Sequence, residues 1–344
     1  MTSRPLVESP GPTWILNGHS VRVEEAQAHI SKISDEFGVR AHVVVTKRVD
    51  DISSLVARAV SENHQPVVAG GGDGTVNAVA GKLTGTNAVL GVLPMGTLNH
   101  FAKDVGIPLN LEAAVRNLFT GQVEKVDVGE VNGRVFVNNS GVGFYPHFVR
   151  QREEQEQHGH VKHVAFMLAL RSVVRRYFRL RMKVHMDQAE AFEHVTPFLF
   201  VGNNRYQTSG LAIGRRPRLD SGRLWVCTAP RSGRRNIVRI ALRTLLGRET
   251  DQELNAFEVE ELWAEVGTAR VNVSTDGEVS IMDAPLHYRI RPHALGVIVP
   301  MRRPSHDHSI SDNSVSANQR SEASSPCDID LDQCAGIFCG CSSN

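Results

Sequence analysis

Short apolar runs alternate with segments of helical spacing over the first third of the chain. Residues 14–17 (WILN) and 41–46 (AHVVVT) read as strands. Residues 51–62 (DISSLVARAVSE) put Ile52, Leu55, Val56 and Ala59 on one helical face. PVVAG at 66–70 predicts a strand, TVNAVAGKL at 75–83 a helix, and AVLGVLP at 88–94 a strand. LNLEAAVRNLFTG at 109–121 predicts a helix closed by Gly121. Strands alternating with helices indicate a parallel sheet covered by helices. Near residue 125 the period changes. EKVDVGEVNGRVFVNNSGVG (124–143) alternates like strands around an Asn132-Gly133 turn, a strong hairpin signal. Further strands are predicted at 178–186, 197–203, 222–230, 261–266, 269–278 and 286–300. This run of β with few helices predicts a sandwich. From 301 the chain is rich in Ser, Asn, Asp and His, and reads as a disordered tail. The expected organisation is an α/β domain over 13–125, a β-sandwich domain over 126–300 and a tail over 301–344.

Composition narrows the class only modestly. A chain of 344 residues is long enough for two domains and a tail. Its 41% hydrophobic and 22% charged residues are those of a soluble globular protein. A net charge of +1 selects no partner, and no nucleic acid is expected. The opening MTSRPLVESPGP has acid and prolines and no apolar core, so no secretory signal is expected. No apolar run reaches the roughly 18–20 residues of a membrane span, so a cytoplasmic protein is the expectation. Of five cysteines only Cys227 lies in the body, so no disulfide framework holds the fold. The tail CDIDLDQCAGIFCGCSSN has neither zinc-finger spacing nor neighbouring histidines, and its last three residues are a poor prenylation signal.

The chemistry concentrates in two stretches. In PVVAGGGDGTVNAVAG (66–81) a strand runs through a glycine-rich turn into a helix. Glycines let backbone N–H groups approach an anion, and a helix N-terminus adds partial positive charge. The loop is therefore a candidate phosphate cradle. Asp73 is the odd residue in it, because a carboxylate repels phosphate unless a metal ion bridges them. Taken alone, a tight strand–helix turn with Asp73 as a cap is the plainer reading. The second stretch, GVLPMGTLNHFAKDVGIP (91–108), again runs a strand into a turn. Both turns carry Gly-Thr-x-Asn, at 74–77 and 96–99. Adjacent strand ends of this kind are where open α/β sheets bind ligands.

Together, GGGDGTVNAV (70–79) and LGVLPMGTLNHFAKDVGIP (90–108) resemble the bacterial branch of the soluble diacylglycerol/sphingosine kinase-like lipid kinase family. The resemblance covers about residues 13–300. It implies a phosphofructokinase- or NAD kinase-like three-layer α/β domain followed by a β-sandwich, with ATP bound in the cleft between them. By match to the family's motifs, Gly71, Gly72, Asp73, Gly74, Thr75, Val76 and Asn77 are nucleotide-loop residues. Gly96, Thr97 and Asn99 are the second nucleotide contact, and Thr46 an upstream phosphate contact. The family's general base is the glutamate of an Asp-Gly-Glu motif, here Glu278 in TDGE, with Asp73 a second candidate. ATP and Mg²⁺ are the implied cofactors, and the substrate is a lipid alcohol such as diacylglycerol.

Departures accompany the match. Ala78 stands where the family usually has glutamate. In LDSGRL, Asp220 is retained as a candidate magnesium ligand, but Ser221 replaces the expected aspartate. NHFA replaces the commoner NDFA, and a solvated helix-start His100 is expected. RRPR at 215–218 reads either as a phosphate contact or as a surface loop. Between Glu156 and Asp187 there are seven Lys or Arg and no acids, and at 231–248 Arg235, Arg239 and Arg243 recur four apart. Basic amphipathic helices there would suit an anionic membrane surface, so peripheral contact at the inner membrane is expected; packed helices with solvated basic faces are the rival reading. A homodimer is compatible with the sequence. The rival functions are an NAD kinase-like enzyme and a nucleotide-binding pseudokinase that binds lipid.

Overall fold

Strand β1 (Thr13–Asn17) is apolar and buried over most of its length because it lies inside a parallel sheet. It pairs with β2 (His42–Thr46) on one side and β3 (Val67–Gly71) on the other, and β3 pairs with β4 (Val89–Pro94). The computed structural model describes residues 11–143, 180–186, 192–207, 214–228 and 255–301. Helices α1 (Val23–Glu36), α2 (Val49–Ser61), α3 (Asp73–Leu83), α4 (His100–Asp104) and α5 (Leu111–Thr120) accompany these strands. The face expected for α2 is the one buried, through Ile52, Val56 and Ala59. Asn110 caps α5 by accepting from the Ala113 N–H at 3.0 Å, and Gly121 follows its last residue. Helix α1 was not among the expected elements, although Ala26, Ile30 and Ile33 line its buried face.

Strand β5 (Gln122–Val131) turns into β6 (Arg134–Phe136) at Asn132-Gly133, both with positive φ, as the Asn-Gly signal required. The sandwich adds β7 (Asn139–Gly143), β8 (Leu180–Met186), β9 (Phe192–Thr196), β10 (Phe198–Asn203), β11 (Leu224–Thr228) and β12 (Asn255–Val259). It is completed by β13 (Glu261–Val266), β14 (Arg270–Thr275), β15 (Glu278–Asp283) and β16 (Leu286–Val299). One antiparallel sheet runs β12-β11-β10-β7-β14-β15. Its Val142, Leu199, Val201, Leu224, Val226 and Val273 pack in one core with Val131, Met182, Leu262 and Tyr288 of the other sheet. The architecture is thus an α/β domain followed by a β-sandwich.

The long strand β16 belongs to both parts. Leu286–Arg289 pair antiparallel with β13, whereas Gly296 and Val297 pair parallel with Val89 and Leu90 of β4. A register shift against β5 between Arg291 and Leu295 makes the bend. The last strand therefore completes the N-terminal sheet, and Leu295, Val297, Ile298 and Val299 enter its core. Part of the first basic stretch is strand: on β8, Arg181 and Lys183 are exposed and Met182 and Val184 buried. The rest of that stretch, the 231–248 stretch and the cysteine-bearing tail lie outside the described residues.

Candidate active site

The C-terminal ends of β1, β3 and β4 meet at the glycine loop. Asn17 at the end of β1 donates to the Thr75 hydroxyl at 3.4 Å. The Met95 N–H donates to the Gly71 carbonyl at 2.9 Å, which joins the β3 and β4 turns. A Cβ on Gly96 would lie 2.5 Å from the Gly72 Cα, so the two turns touch backbone to backbone and admit no side chain at Gly96. Asn99 folds its own turn: its Oδ1 accepts from the Gly96 N–H at 3.1 Å and its Nδ2 donates to the Gly96 carbonyl at 2.7 Å. Gly72 is the N-cap of α3, so the N–H groups of its first turn have no intrahelical partner. Among the described residues, Asn77 Oδ1 and His100 Nε2 are buried without a hydrogen-bond partner. Open N–H groups, a turn with no room for a side chain at Gly96 and two orphaned polar atoms fit a polyphosphate with a nucleoside attached.

Asp73 has a structural task. Its carboxylate accepts the His100 N–H at 3.2 Å and the Phe101 N–H at 3.1 Å, capping α4 from the first residue of α3. The cap reading of this acid is realised across two motifs instead of within one. His100 is not the solvated histidine expected: its Nε2 is buried. Thr46 ends β2 in the same row of strand ends, with its hydroxyl engaged by Asp51 and Arg48. Thr97 is exposed on its turn and Val76 packs in the core.

Glu278 comes to this loop from the other half of the molecule. Its Oε1 lies 3.7 Å from where a Cβ of Gly74 would stand. Asp276 and Gly277, with φ of 49° and 89°, form the two-residue turn between β14 and β15 and put Glu278 at the first position of β15. Asp276 is buried and accepts the N–H groups of Val137, Asn138 and Asn139 at 2.7, 2.8 and 2.9 Å. Burial pushes its carboxyl up to about 7 even though those three donors and Arg216 favour the charged form. Arg134, which the sequence reading passed over, donates to Glu278 Oε2 at 2.6 Å. That leaves Oε1 on the side of the glycine loop. Both side chains are more than a third exposed, so the pair orients the carboxylate more than it stabilises the fold.

Residues 215–220 hold two of the expected contact positions. Arg215, Pro217 and Arg218 are exposed, as on a surface loop, but Arg216 turns inward and is buried and bonded to Asp104. Asp220 pairs with Arg218 at 3.0 Å, which holds its carboxyl below the usual carboxylate range, and the Ser221 hydroxyl bonds Asn204. Among the described residues no group of three or more His, Cys, Asp or Glu could hold a metal ion.

Two family models match this chain: the diacylglycerol kinase catalytic domain over residues 13–131, and the YegS C-terminal NAD kinase beta sandwich-like domain over residues 148–299. A Pseudomonas aeruginosa (strain PAO1) protein named "probable lipid kinase YegS-like" is 30% identical over 84% of this chain and 94% of its own length. The chain belongs to the diacylglycerol kinase catalytic-domain family. Membership makes it an ATP-using kinase of the lipid-kinase type, and both domains of the family are present in order. A Klebsiella pneumoniae (strain 342) relative of the same name is 37% identical over 39% of this chain and 46% of its own length. The fold matches a Bacillus anthracis diacylglycerol kinase structure with a TM-score of 0.63 at 17% identity, over 86% of this chain and 98% of that one. No described helix is long and apolar enough to cross a membrane.

Proposed function

We propose that this family member transfers the γ-phosphate of ATP to the hydroxyl of a lipid alcohol drawn from a membrane surface. One observation carries the reading: the carboxylate of Glu278, on the sandwich, faces Gly74 of the phosphate loop. Phosphoryl transfer needs an in-line nucleophile, neutralised charge and little covalent help. The α3 first turn and the 96–99 turn would grip the phosphates through backbone N–H groups. Asp73 would act through α4, holding the two turns together. Glu278 Oε1 would take the proton of the attacking hydroxyl while Arg134 fixes the carboxylate. Mg²⁺ would supply charge neutralisation at the phosphates. Diacylglycerol and phosphatidylglycerol are the acceptors to try first, and peripheral contact through basic surface residues is the expected means of reaching them.

The test is transfer of label from γ-labelled ATP into a total lipid extract. Glu278→Gln is expected to lower turnover about 10²–10⁴-fold, the range of a general base, with ATP affinity nearly unchanged. Unaltered turnover removes the base assignment. Label entering NAD instead of lipid would favour the NAD kinase-like alternative. ATP binding without transfer to any lipid would favour a pseudokinase.

A further inference from the structure

The proposed chemistry leaves one fully buried ion pair without a task. Arg216 and Asp104 have side-chain exposures of 0% and 5% and meet at 2.8 Å. Such pairs seldom stabilise a fold more than apolar residues of the same volume, so stability alone is a poor reason to have one. Its placement offers another. Asp104 is the last residue of α4, the five-residue helix whose start is capped by Asp73. Its two carboxylate oxygens accept the Arg216 Nε and backbone N–H. The same guanidinium donates to the carbonyls of Val137 and Asn203, and at 2.7 Å to Asn138 Oδ1, while lying over the Tyr206 ring. Residues 137–139 in turn give their three N–H groups to Asp276, which opens the turn that presents Glu278.

A continuous path of charge-assisted hydrogen bonds and short backbone segments therefore runs from the phosphate loop to the base. Its order is Asp73, α4, Asp104, Arg216, residues 137–139, Asp276 and Glu278. We propose that Arg216 is a positioning residue, which fixes the distance between the Asp73 loop and the Glu278 turn across the domain boundary. The inference rests on the lipid-kinase reading of the site. A planar guanidinium suits the task because its donors point in several fixed directions at once; a lysine ammonium cannot reach the same set. Misplacing a base by an ångström costs rate and leaves nucleotide binding intact.

The experiment separates position from stability. Arg216→Leu strands Asp104 and is expected to lower the melting temperature. The double replacement Asp104→Leu/Arg216→Leu removes the stranded acid and is expected to recover most of the loss, short of the bonds to Val137, Asn203 and Asn138. With diacylglycerol or phosphatidylglycerol in mixed micelles as acceptor, the double variant should still show kcat lowered 10–100-fold, with KM for ATP within twofold of the parent. Against a Glu278→Gln background the same replacement should change the residual rate less than twofold, because a base that is absent cannot be misplaced. Return of kcat together with melting temperature overturns the proposal, as does an equal loss in the Glu278→Gln background. Should the double variant not fold, Arg216→Lys serves instead: it keeps a charge for Asp104 and should lower kcat at near-parental melting temperature, and unchanged kcat overturns the proposal. A parent protein that labels neither these lipids nor any component of a total lipid extract sinks the kinase reading and this inference with it. An active parent with an indifferent double variant sinks this inference alone.

Discussion

At the scale of single residues, the two acids of the site divide their labour by surroundings. Glu278 has one oxygen held by Arg134 and the other toward the phosphate loop, whereas both Asp73 oxygens accept backbone N–H groups. Replacing Asp73 with Asn turns an amide toward one of those donors. The expected cost is about 1–3 kcal/mol of stability, seen as an earlier denaturant midpoint. Glu278→Gln should leave that midpoint in place, so the pair of measurements tells scaffold from chemistry. Gly96→Ala puts a Cβ 2.5 Å from the Gly72 backbone. It should cost about 1–3 kcal/mol and weaken ATP binding, which titration calorimetry would register. Gly-Thr-x-Asn at both turns made the loops legible from sequence. Nothing comparable marked Arg216, a basic residue in a Pro-containing loop whose partner lies 112 residues away.

At the scale of elements, legibility followed how sharply each pattern was punctuated. The Asn132-Gly133 and Asp276-Gly277 turns each place both residues at positive φ; the first was readable from its dipeptide, whereas the second fell at the end of the strand expected over 269–278. Helix α1 carried a sound apolar stripe through Val23, Ala26, Ile30 and Ile33, yet no capping side chain marks its start. Strand β15 is mostly exposed or half-buried, so it lacks the alternation that reveals a half-buried strand. The Asp276-Gly277 turn matters most for function because Glu278 follows it directly. Gly277→Ala forces an alanine to φ near 89°. A loss of about 1–2 kcal/mol is expected, together with slower lipid phosphorylation at unchanged KM for ATP. Thermal melts and initial rates would check both parts.

At the scale of the whole molecule, one strand, β16, joins the N-terminal strands and one layer of the sandwich into a single ten-stranded sheet. A boundary drawn along the sequence at 125 separates the motifs, but residues 295–299 sit in the first sheet beside β4. Long-range strand order of this kind leaves no local trace in sequence, because GVIV reads the same whichever neighbour it pairs with. Calorimetry should therefore show one unfolding transition with equal calorimetric and van't Hoff enthalpies; two resolved transitions would contradict the coupling. The shared strand also sets a clock on biosynthesis. Ribosomes add about 5–20 residues per second, so a nascent chain holds the β4 edge open for tens of seconds before residue 296 emerges to cover it. During that interval the nucleotide-binding half is an unfinished sheet with a bare flank, in need of a holdase or of luck.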